Sequence, residues 1–415
     1  MPQVRGAERI AVDENAVSQS GPIVAIPARF FFSPSPGKAI LANQMAVTGE
    51  RDDPAFPVGA ACRIDSRSPW REIAEIPVGL DPEGIAVDNL RRRAFVACSR
   101  SDFVSVVDLE SHEVIAEIAT GAEPIDIGLD EETGRVFSAD AHSDQVTIID
   151  SATLEVETAL PVGGYPSGLT HVPEFRRLYV GNSLGSTMSV IDLDTLETVA
   201  TVDAEPGAGA IGVDPTRRLA ICVNFVAASA NFYDADSFEE IGRLELGTGT
   251  CAIGIVPERG EAFIVNSIAG TVSRVDLDAI EVVEEIRTGQ APVGLTVAPA
   301  HDRVYVTNRG AGSLSVLGVA DGAEWSQIPV GHGPGGVVVD PHNGQILVAN
   351  AGSQTVSIVE DLLAARPPAP VVEAPSPFIG GKLPEFALED YWTGERKTNL
   401  DWSEKRYILN FFASW

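Results

Sequence analysis

Basic residues are scarce in this sequence. Its 415 residues include 29 Lys and Arg against 59 Asp and Glu, which gives a net charge of −30. Nucleic acids and anionic membranes repel a surface of this charge, so we expect neither as a partner. A well-solvated acidic surface is a simpler interpretation of this composition than a specific cation-binding role.

Long apolar runs are also missing. No apolar stretch reaches the length of about 20 residues that a membrane-spanning helix needs, so we expect no membrane span. The N-terminus, MPQVRGAERIAVDENAV, has no apolar core of the kind found in signal peptides. The sequence thus carries no export signal of its own, an absence that would mean little if the natural polypeptide is longer.

Cysteine and histidine are few and scattered. The four cysteines, Cys62, Cys98, Cys222 and Cys251, are far apart and form no CxxC pair. This spacing argues against a disulfide framework or a zinc site and favours buried, unreactive thiols. The six histidines form no HExxH motif. We therefore assign no catalytic, cofactor-binding or metal-binding residue within the 415 residues, and we predict no cofactor.

What the sequence does contain is a repeat. One motif is written four times, as IPVGLDPEGIAVD, IATGAEPIDIGLD, IRTGQAPVGLTVA and IPVGHGPGGVVVD, starting at Ile76, Ile118, Ile286 and Ile328. Its glycine recurs with a period of 42 residues or twice that, and Glu205 occupies the one position where glycine is missing. The glycines are Gly79, Gly121, Gly163, Gly247, Gly289 and Gly331. No insertion or deletion interrupts the array between the first and the last of them.

Two polar columns keep the same period. The first follows the glycine position by 19 residues and consists of Cys98, Asp140, Asn182, Asn224, Asn266, Asn308 and Asn350. The second follows it by 29 residues and consists of Asp108, Asp150, Asp192, Asp234, Asp276, Gly318 and Glu360. Each position closes a strand-like run, where Asn and Asp side chains accept hydrogen bonds from nearby backbone N–H groups. We therefore interpret both columns as turn residues and not as a ring of metal ligands.

Each period predicts four short strands. GIAVD, RAFVAC, VSVVD and VIAEIAT are alternating or continuous apolar runs separated by turn residues. Four strands in about 40 to 45 residues are typical of one blade of a β-propeller, so the fold class is all-β. The first strand is rich in Gly, Ala, Val and Ile, which suits the crowded position next to the propeller axis.

The repeats resemble a known family. RVYVTN at 303–308, RLYVGN at 177–182 and QILVAN at 345–350, each followed by a TVSVID-like strand, are similar to YVTN-type β-propeller repeats. The resemblance covers about 76–360 and is weakest at Cys98, Asp140 and Gly318. It implies a periplasmic or extracellular location, with a cytoplasmic one left open.

The number of blades stays open between seven and eight. The family resemblance implies seven. The strand count favours eight, because FFFSP, KAILAN, CRID and EIAEIPVG before Gly79 supply one further, divergent unit that is stretched at 44–60. Only three strands remain after Gly331, so we expect ERIAVDEN in the segment 1–20 to close the ring as the missing strand. The propeller is then expected to span 21–365.

A different kind of sequence follows the repeats. Residues 366–377, RPPAPVVEAPSP, are proline-rich and predict an extended linker. Residues 378–415 resemble the opening of thioredoxin-like redoxins, the thiol-disulfide oxidoreductases and related peroxidases. The matching positions are Gly381, Pro384, Phe386, Leu388, Gly394, Leu400 and the run from Lys405 to Trp415. That run, ending in NFFASW, is similar to the family's central strand, NFWASWCxxC.

The resemblance implies a catalytic cysteine immediately after Trp415. In redoxins this residue lies at a helix N-terminus, where the helix dipole lowers the pKa of the thiol and favours the thiolate nucleophile. We therefore expect the chain to stop one residue short of its own active site. The alternative is a short C-terminal strand that packs on the propeller.

Three functions remain possible at this point. The leading one is a binding or scaffolding propeller tethered to a redoxin, with a protein or small molecule on the loop face or in the central channel and a thiol or disulfide redox partner. A lactonase-like hydrolase within the propeller and an interaction-only propeller are the alternatives. The breaks in the repeat, at Glu205, Asn231, Gly318 and 44–60, form no recognisable catalytic set.

Overall fold

The computed structural model describes residues 70–362 in full, together with the backbone of four short strands outside that range. The chain divides into two units. One comprises Pro69–Pro370, and the other comprises Met1–Ser68 with Val371–Trp415.

The first unit is a propeller of seven antiparallel sheets, each with four strands. We number the blades 1 to 7 from the inner strand that begins at Pro82. The inner strands are Pro82–Asp88, Pro124–Asp130, Pro166–Val172, Ala208–Asp214, Thr250–Val256, Pro292–Ala298 and Pro334–Val339. The second strands are Arg93–Cys98, Arg135–Asp140, Arg177–Asn182, Leu219–Asn224, Glu261–Asn266, Arg303–Asn308 and Ile346–Asn350. The predicted all-β propeller of four-stranded blades is confirmed, and the count of eight blades is wrong.

The two outer positions of each blade complete the sheets. The third strands are Phe103–Asp108, Gln145–Asp150, Thr187–Asp192, Ser229–Asp234, Thr271–Asp276, Ser313–Leu317 and Thr355–Asp361. The outer strands of blades 1 to 6 are Glu113–Ala119, Val156–Pro161, Glu197–Asp203, Glu240–Glu245, Glu281–Arg287 and Glu324–Pro329. Four short 3-10 helices lie in the loops, at Ser99–Ser101, Ala141–Ser143, Pro173–Phe175 and Pro299–His301.

The ring is closed by the strand Trp70–Pro77, which is the outer strand of blade 7. It pairs antiparallel with Thr355–Asp361, in a register that places Trp70 opposite Asp361 and Pro77 opposite Thr355. The segment EIAEIP therefore belongs to the last blade and not to an eighth one. It fills the place that we predicted for ERIAVDEN, which lies outside the described residues.

The inner strands form the ring around the central axis. Each contacts the inner strand of the next blade, and that of blade 7 contacts that of blade 1. The approach is close, since a Cβ atom added to Gly84 would lie 2.6 Å from the Cα atom of Asp126. Small residues are needed where backbones approach in this way, which explains why the glycine-rich strand is innermost.

The hydrophobic core is divided among the blades and the spaces between them. Blades 2 and 3, for example, share a cluster that contains Phe137, Ile148, Leu169 and Leu178. The third residue of the second strand is a fully buried aromatic in five blades. These residues are Phe95, Phe137, Tyr179, Phe263 and Tyr305. Because each sheet is covered on both faces by its neighbours, the middle strands read as continuous apolar runs.

The Asp column with the longer offset does form turns. Oδ1 of Asp108 accepts hydrogen bonds from the N–H groups of Glu110 and Ser111, at 3.0 and 2.7 Å. The same pair of bonds recurs at Asp150, Asp192, Asp234 and Asp276. The bond to the Ser111 N–H is the main cause that holds the pKa of Asp108 below its ordinary value. The turn interpretation is confirmed for these five aspartates.

In the second unit the structure describes two strand pairs. Phe30–Ser33 pairs antiparallel with Ile408–Phe411, and Ala387–Glu389 pairs antiparallel with Arg396–Thr398. FFFSP thus pairs outside the seven sheets, although we expected it in a propeller unit. The predictions for 1–20, for the linker 366–377 and for most of 378–415 lie outside the described residues. Within the described part of the chain, no helix has the length and apolar character needed to cross a membrane.

Candidate binding face

Two sets of loops share one face of the propeller, which we call the loop face. One set is the turn between each outer strand and the inner strand of the next blade, such as residues 163–165. The other set is the hairpin between the second and third strands, such as residues 183–186. They meet because the inner strand begins where the second strand ends, as the pairing of Pro166 with Asn182 shows.

The backbone of this hairpin is held in the same way in all seven blades. Its first N–H group donates to a carbonyl of the preceding turn at 2.8 to 3.0 Å. The pairs are Ser99 to Asp81, Ala141 to Glu123, Ser183 to Tyr165, Phe225 to Gly207, Ser267 to Gly249, Arg309 to Ala291 and Ala351 to Gly333. The hairpins therefore form a rigid, repeated frame.

The next residue of each hairpin is exposed, and we call it the tip position. It is occupied by Arg100, His142, Leu184, Val226, Ile268, Gly310 and Gly352. The side chain thus changes from blade to blade on a backbone that stays constant. Variable residues on a fixed frame are the usual arrangement of a binding surface.

The Asn column fixes these hairpins through its side chains. Nδ2 of Asn182 donates to Thr187 Oγ1 at 3.0 Å and to Ser189 Oγ at 2.9 Å. Asn266, Asn308 and Asn350 make the same two bonds. The turn interpretation is therefore wrong for this column, since its amides bridge to the third strand.

The same side chain explains the glycine of the motif. A Cβ atom on Gly163 would lie 2.6 Å from Cγ of Asn182, so the buried amide packs directly on the glycine backbone. In blade 2, Asp140 replaces the amide and accepts hydrogen bonds from the Gly121 N–H at 3.0 Å and from Ser138 Oγ at 2.7 Å. The motif glycine and the polar side chain 19 residues later are therefore in direct contact.

Blade 4 departs from the repeat at two positions around Asn224. Glu205 replaces the glycine, and Asn231 replaces the Ser or Thr of the third strand. Oε2 of Glu205 accepts from Ser229 Oγ at 2.5 Å, and Oδ1 of Asn231 accepts from Asn224 Nδ2 at 2.7 Å. Asn224 Nδ2 also donates to Ser229 Oγ at 3.1 Å, so these side chains form one network. The two replaced positions are therefore linked through Asn224 and Ser229.

An ion pair crosses the loop face over blade 7. Arg309, in the hairpin of blade 6, donates to Glu83 on the inner strand of blade 1. The inner strand of blade 7 lies between them and has no side chain in the way, since a Cβ atom on Gly335 would lie 2.7 Å from Glu83 Oε2. Burial raises the pKa of Glu83, although Arg309 acts in the opposite direction.

A second polar cluster joins blades 2 and 3. The hydroxyl of Tyr165 donates to Glu123 Oε1 at 3.0 Å, and the His142 ring contacts Glu123 Oε2 through Nδ1. The His142 and Tyr165 rings meet edge to face, with centroids 5.4 Å apart. Burial, together with the bond to Glu123, raises the pKa of Tyr165 to about 12. The phenol is therefore a hydrogen-bond donor at neutral pH.

Large apolar side chains are exposed in three consecutive blades on the remaining part of the loop face. Leu184, Val226 and Ile268 occupy the tip positions of blades 3, 4 and 5, with 80%, 72% and 70% of their surface exposed. Phe225 beside them is 42% exposed. We call these four residues the apolar crescent. Exposed apolar groups that lie together mark interaction sites more often than isolated ones do.

The propeller cysteines lie in surroundings that disfavour the thiolate. Cys98 and Cys222 are buried, and no cysteine among residues 70–362 forms a disulfide. Burial raises the pKa of Cys222 and of Cys251 to about 12, so almost no thiolate is present at neutral pH. The expectation of unreactive thiols thus agrees with their surroundings, and Cys62 lies outside the described residues.

The opposite face is occupied by internal ion pairs. Arg92 of blade 1 binds Asp340 of blade 7 through two N–O contacts of 2.9 and 2.6 Å. Arg217 binds Asp214 in its own blade at 3.0 Å and Asp278 in the next blade at 2.8 Å. Between Trp70 and Leu362, no three His, Cys, Asp or Glu side chains converge in a way that would hold a metal ion.

The chain is similar to a known protein family and to a solved structure. Residues 229–345 match the family model of the YNCE-like beta-propeller. A solved structure of Kuenenia stuttgartiensis hydrazine synthase is similar in fold, with a TM-score of 0.58 and 18% sequence identity. The alignment covers 68% of this chain and 96% of that chain. No curated protein matches. The propeller resemblance is therefore supported by both matches, which do not bear on the redoxin resemblance.

Sequence reasoning missed the tip position, although a signal for it exists. The tip residue follows the motif glycine position by 21 residues, as Leu184 follows Gly163. Aligned by the period, this column reads Arg, His, Leu, Val, Ile, Gly, Gly, and three successive members are branched and apolar. A solvated hairpin normally carries polar or small residues at its tip. Apolar residues at this position in three successive periods would therefore have indicated blades 3 to 5 as a candidate site.

Proposed function

We propose that the propeller is a binding platform that holds a partner on its loop face, and that a linker tethers it to a thiol-disulfide oxidoreductase domain that begins near residue 378. The observation that carries the first part is the tip position. Seven hairpins that share the same first backbone bond present six different residues at this position, from Arg100 and His142 through three apolar residues to two glycines. A constant backbone that presents different exposed side chains is suited to the recognition of a partner.

The opposite face is less suited to this role. On the opposite face, the arginines Arg92 and Arg217 are already committed to aspartates within the propeller. The loop face carries large exposed apolar side chains at three successive tip positions, together with exposed polar groups such as His142.

Site-specific photo-cross-linking tests which face holds the partner. A photoreactive phenylalanine at Leu184 or His142 is expected to cross-link one defined protein from cells that produce this chain. Placed at Ala152, an exposed residue of the opposite face, the same group is expected to give no such product. Equal cross-linking of the same protein from both faces would exclude the loop face as the specific platform.

The oxidoreductase part rests on the resemblance of residues 378–415 to redoxins, from Gly381 to the NFFASW run. We propose that a longer product continues after Trp415 with Cys, two residues and a second Cys. That dithiol would attack a disulfide or a peroxide as a thiolate, chemistry that this chain lacks. The platform would then hold the redox partner, or a protein that delivers it, in a periplasmic or extracellular setting.

Two measurements test this part. The coding sequence beyond codon 415 is expected to encode the Cys pair, and the longer product is expected to reduce insulin or a peroxide with dithiol turnover. The 415-residue chain serves as the inactive control. If no cysteine occurs within the first few residues after Trp415, the oxidoreductase assignment fails and an interaction-only propeller remains.

A further inference from the structure

The apolar crescent indicates the chemistry of the partner that the loop face would hold. Its side chains come from three consecutive blades, so Leu184, Val226 and Ile268 occupy successive positions around the loop face. The N–H groups of Leu184 and Ile268 donate to the carbonyls of Gly164 and Thr248, both at 3.1 Å. In blade 4 the corresponding bond runs from the Ala227 N–H to the Pro206 carbonyl at 3.0 Å. Because the frame is fixed before binding, a partner loses little affinity to ordering these loops.

The loops of the crescent are almost free of charge. Residues 183–186 read SLGS, 225–228 read FVAA and 267–270 read SIAG, in a chain with a net charge of −30. The one charged residue in the adjoining turns, Glu205, is already bound to Ser229 and to Arg243, with an N–O distance of 2.5 Å in the ion pair. The area in contact with a partner is therefore apolar and neutral.

A second column of the repeat changes in the same three blades. The last residue of the outer strand lies opposite the first residue of the third strand, next to the loop face, as Asp203 lies opposite Thr187. In the other four blades this position holds proline or alanine, namely Pro77, Ala119, Pro161 and Pro329. In blades 3, 4 and 5 it holds Asp203, Glu245 and Arg287, all exposed.

Two independent columns thus depart from the repeat in the same sector. Asp203 and Glu245 border the crescent on its outer side, and neither carboxylate forms an ion pair within residues 70–362. A second copy of this chain would bring a like net charge to this border, and an anionic membrane would do the same. An apolar segment with basic flanks matches both the neutral centre and the acidic border.

We propose that the apolar crescent docks an apolar segment of another protein, and that Lys or Arg residues flanking this segment pair with Asp203 and Glu245. This inference rests on the proposed role of the loop face and specifies the chemistry of its partner. Leu184, Phe225, Val226 and Ile268 supply the apolar contacts, and the two carboxylates set the orientation. At the blade 5 end of the crescent, Arg287 would repel the basic residues of the partner.

Selection from a random library of 12-residue peptides displayed on phage tests the proposal without a known partner. The full chain is the target, and enriched peptides are expected to carry several Leu, Ile, Val or Phe residues next to Lys or Arg. A synthetic peptide of the enriched sequence is then measured by fluorescence anisotropy. Val226→Asp is expected to weaken its binding at least tenfold. Ile115→Asp, an equal change at an exposed apolar residue of blade 1, is expected to weaken it less than twofold.

The border is tested with a matched charge reversal. Glu245→Lys is expected to weaken binding about threefold or more in low salt, and Glu113→Lys, which makes the same change in net charge on blade 1, is expected to have a much smaller effect. An unchanged melting temperature for each variant confirms that the fold is intact.

Several results would overturn the proposal: no enriched sequence, an acidic or wholly polar one, or equal losses in Val226→Asp and Ile115→Asp. Binding of the chain to phosphatidylcholine vesicles that Val226→Asp abolishes, without peptide binding, would assign the crescent to a membrane surface instead. If the loop-face cross-links described above persist while the peptide test fails, the platform stands and only the crescent assignment falls.

Discussion

Glu205 and Asn231 lie in one hydrogen-bond network in blade 4, although 26 residues separate them in the sequence. Both replace the residue that the other blades use, glycine at the first position and Ser or Thr at the second. Asn224 and Ser229 connect them. In this blade the large side chain at the glycine position thus occurs together with a changed set of hydrogen bonds.

The two substitutions are therefore expected to be coupled. Glu205→Gly and Asn231→Ser each restore the residue of the other blades but leave part of the network without partners, so each alone is expected to destabilise the fold by about 1 kcal/mol or more. The double variant restores the pattern of blade 6, in which Gly289 and Asn308 are combined with Ser313 and Ser315. Its loss is expected to be smaller than the sum of the single losses by about 0.5 to 3 kcal/mol, measured by urea unfolding. Strict additivity would show that the two positions are independent.

Ring closure by Trp70–Pro77 predicts the effect of N-terminal truncation. Removing residues 1–68 leaves all seven sheets complete, and the remaining propeller is expected to unfold in one cooperative transition. Removing residues 1–78 takes away the outer strand of blade 7 and exposes the edge of Thr355–Asp361. This variant is expected to melt at least about 5 °C lower, or to aggregate. A similar melting temperature for both truncations would refute closure by this strand.

Neighbouring residues of one hairpin are expected to respond very differently to substitution. Asn182 is fully buried and bonded to the third strand, so Asn182→Ala is expected to cost about 1 to 3 kcal/mol. Leu184, two residues further on, is exposed, and Leu184→Ser is expected to change the free energy of unfolding by less than about 0.5 kcal/mol. Denaturant titration of both variants checks the contrast. A large loss in Leu184→Ser would show that the tip supports the fold and is not free to vary for binding.

Asp126 is expected to give the propeller a distinctive pH dependence. Burial of this inner-strand carboxyl raises its pKa to about 6, although the Leu169 and Ile127 N–H groups donate to it at 2.9 Å and act in the opposite direction. A raised pKa means that the folded state binds the proton more tightly than the unfolded state does. Its contribution to stability is therefore present below about pH 4 and is lost as the pH rises through about 6.

The Asp126→Asn variant isolates this contribution. Between pH 4 and pH 7.5, the unfolding free energy of the natural chain is expected to fall by about 1 to 2 kcal/mol relative to that of the variant. This is less than the free energy that corresponds to a shift of two pKa units, because the side chain is partly exposed. Glu113→Gln, at an exposed position, provides the control and is expected to give a profile parallel to that of the natural chain. A parallel profile for Asp126→Asn would contradict the shift.

Much of the propeller is determined by the sequence alone, because its signals are local. The 42-residue period, the alternation within each strand and the Asp turns such as that of Asp108 all depend on residues close together in the chain. They give the strands, their order within a blade and the all-β class. The glycine at the start of each motif was visible in the same way, although the reason for it was not. That reason is the amide of Asn182 packed on Gly163, and it needs the folded hairpin.

Only the tertiary structure decided what depends on contacts between distant segments. The blade count turned on whether EIAEIP pairs with its own neighbours or with Thr355–Asp361, and hydrogen bonding across the ring settled it at seven. The network that links Glu205 to Asn231 joins positions 26 residues apart within one period. Leu184, Val226 and Ile268 come from three successive periods and lie on the same face because the blades follow one another around the ring. The sequence determines each blade by local pairing and pattern, whereas the closure of the ring determines which residues become neighbours.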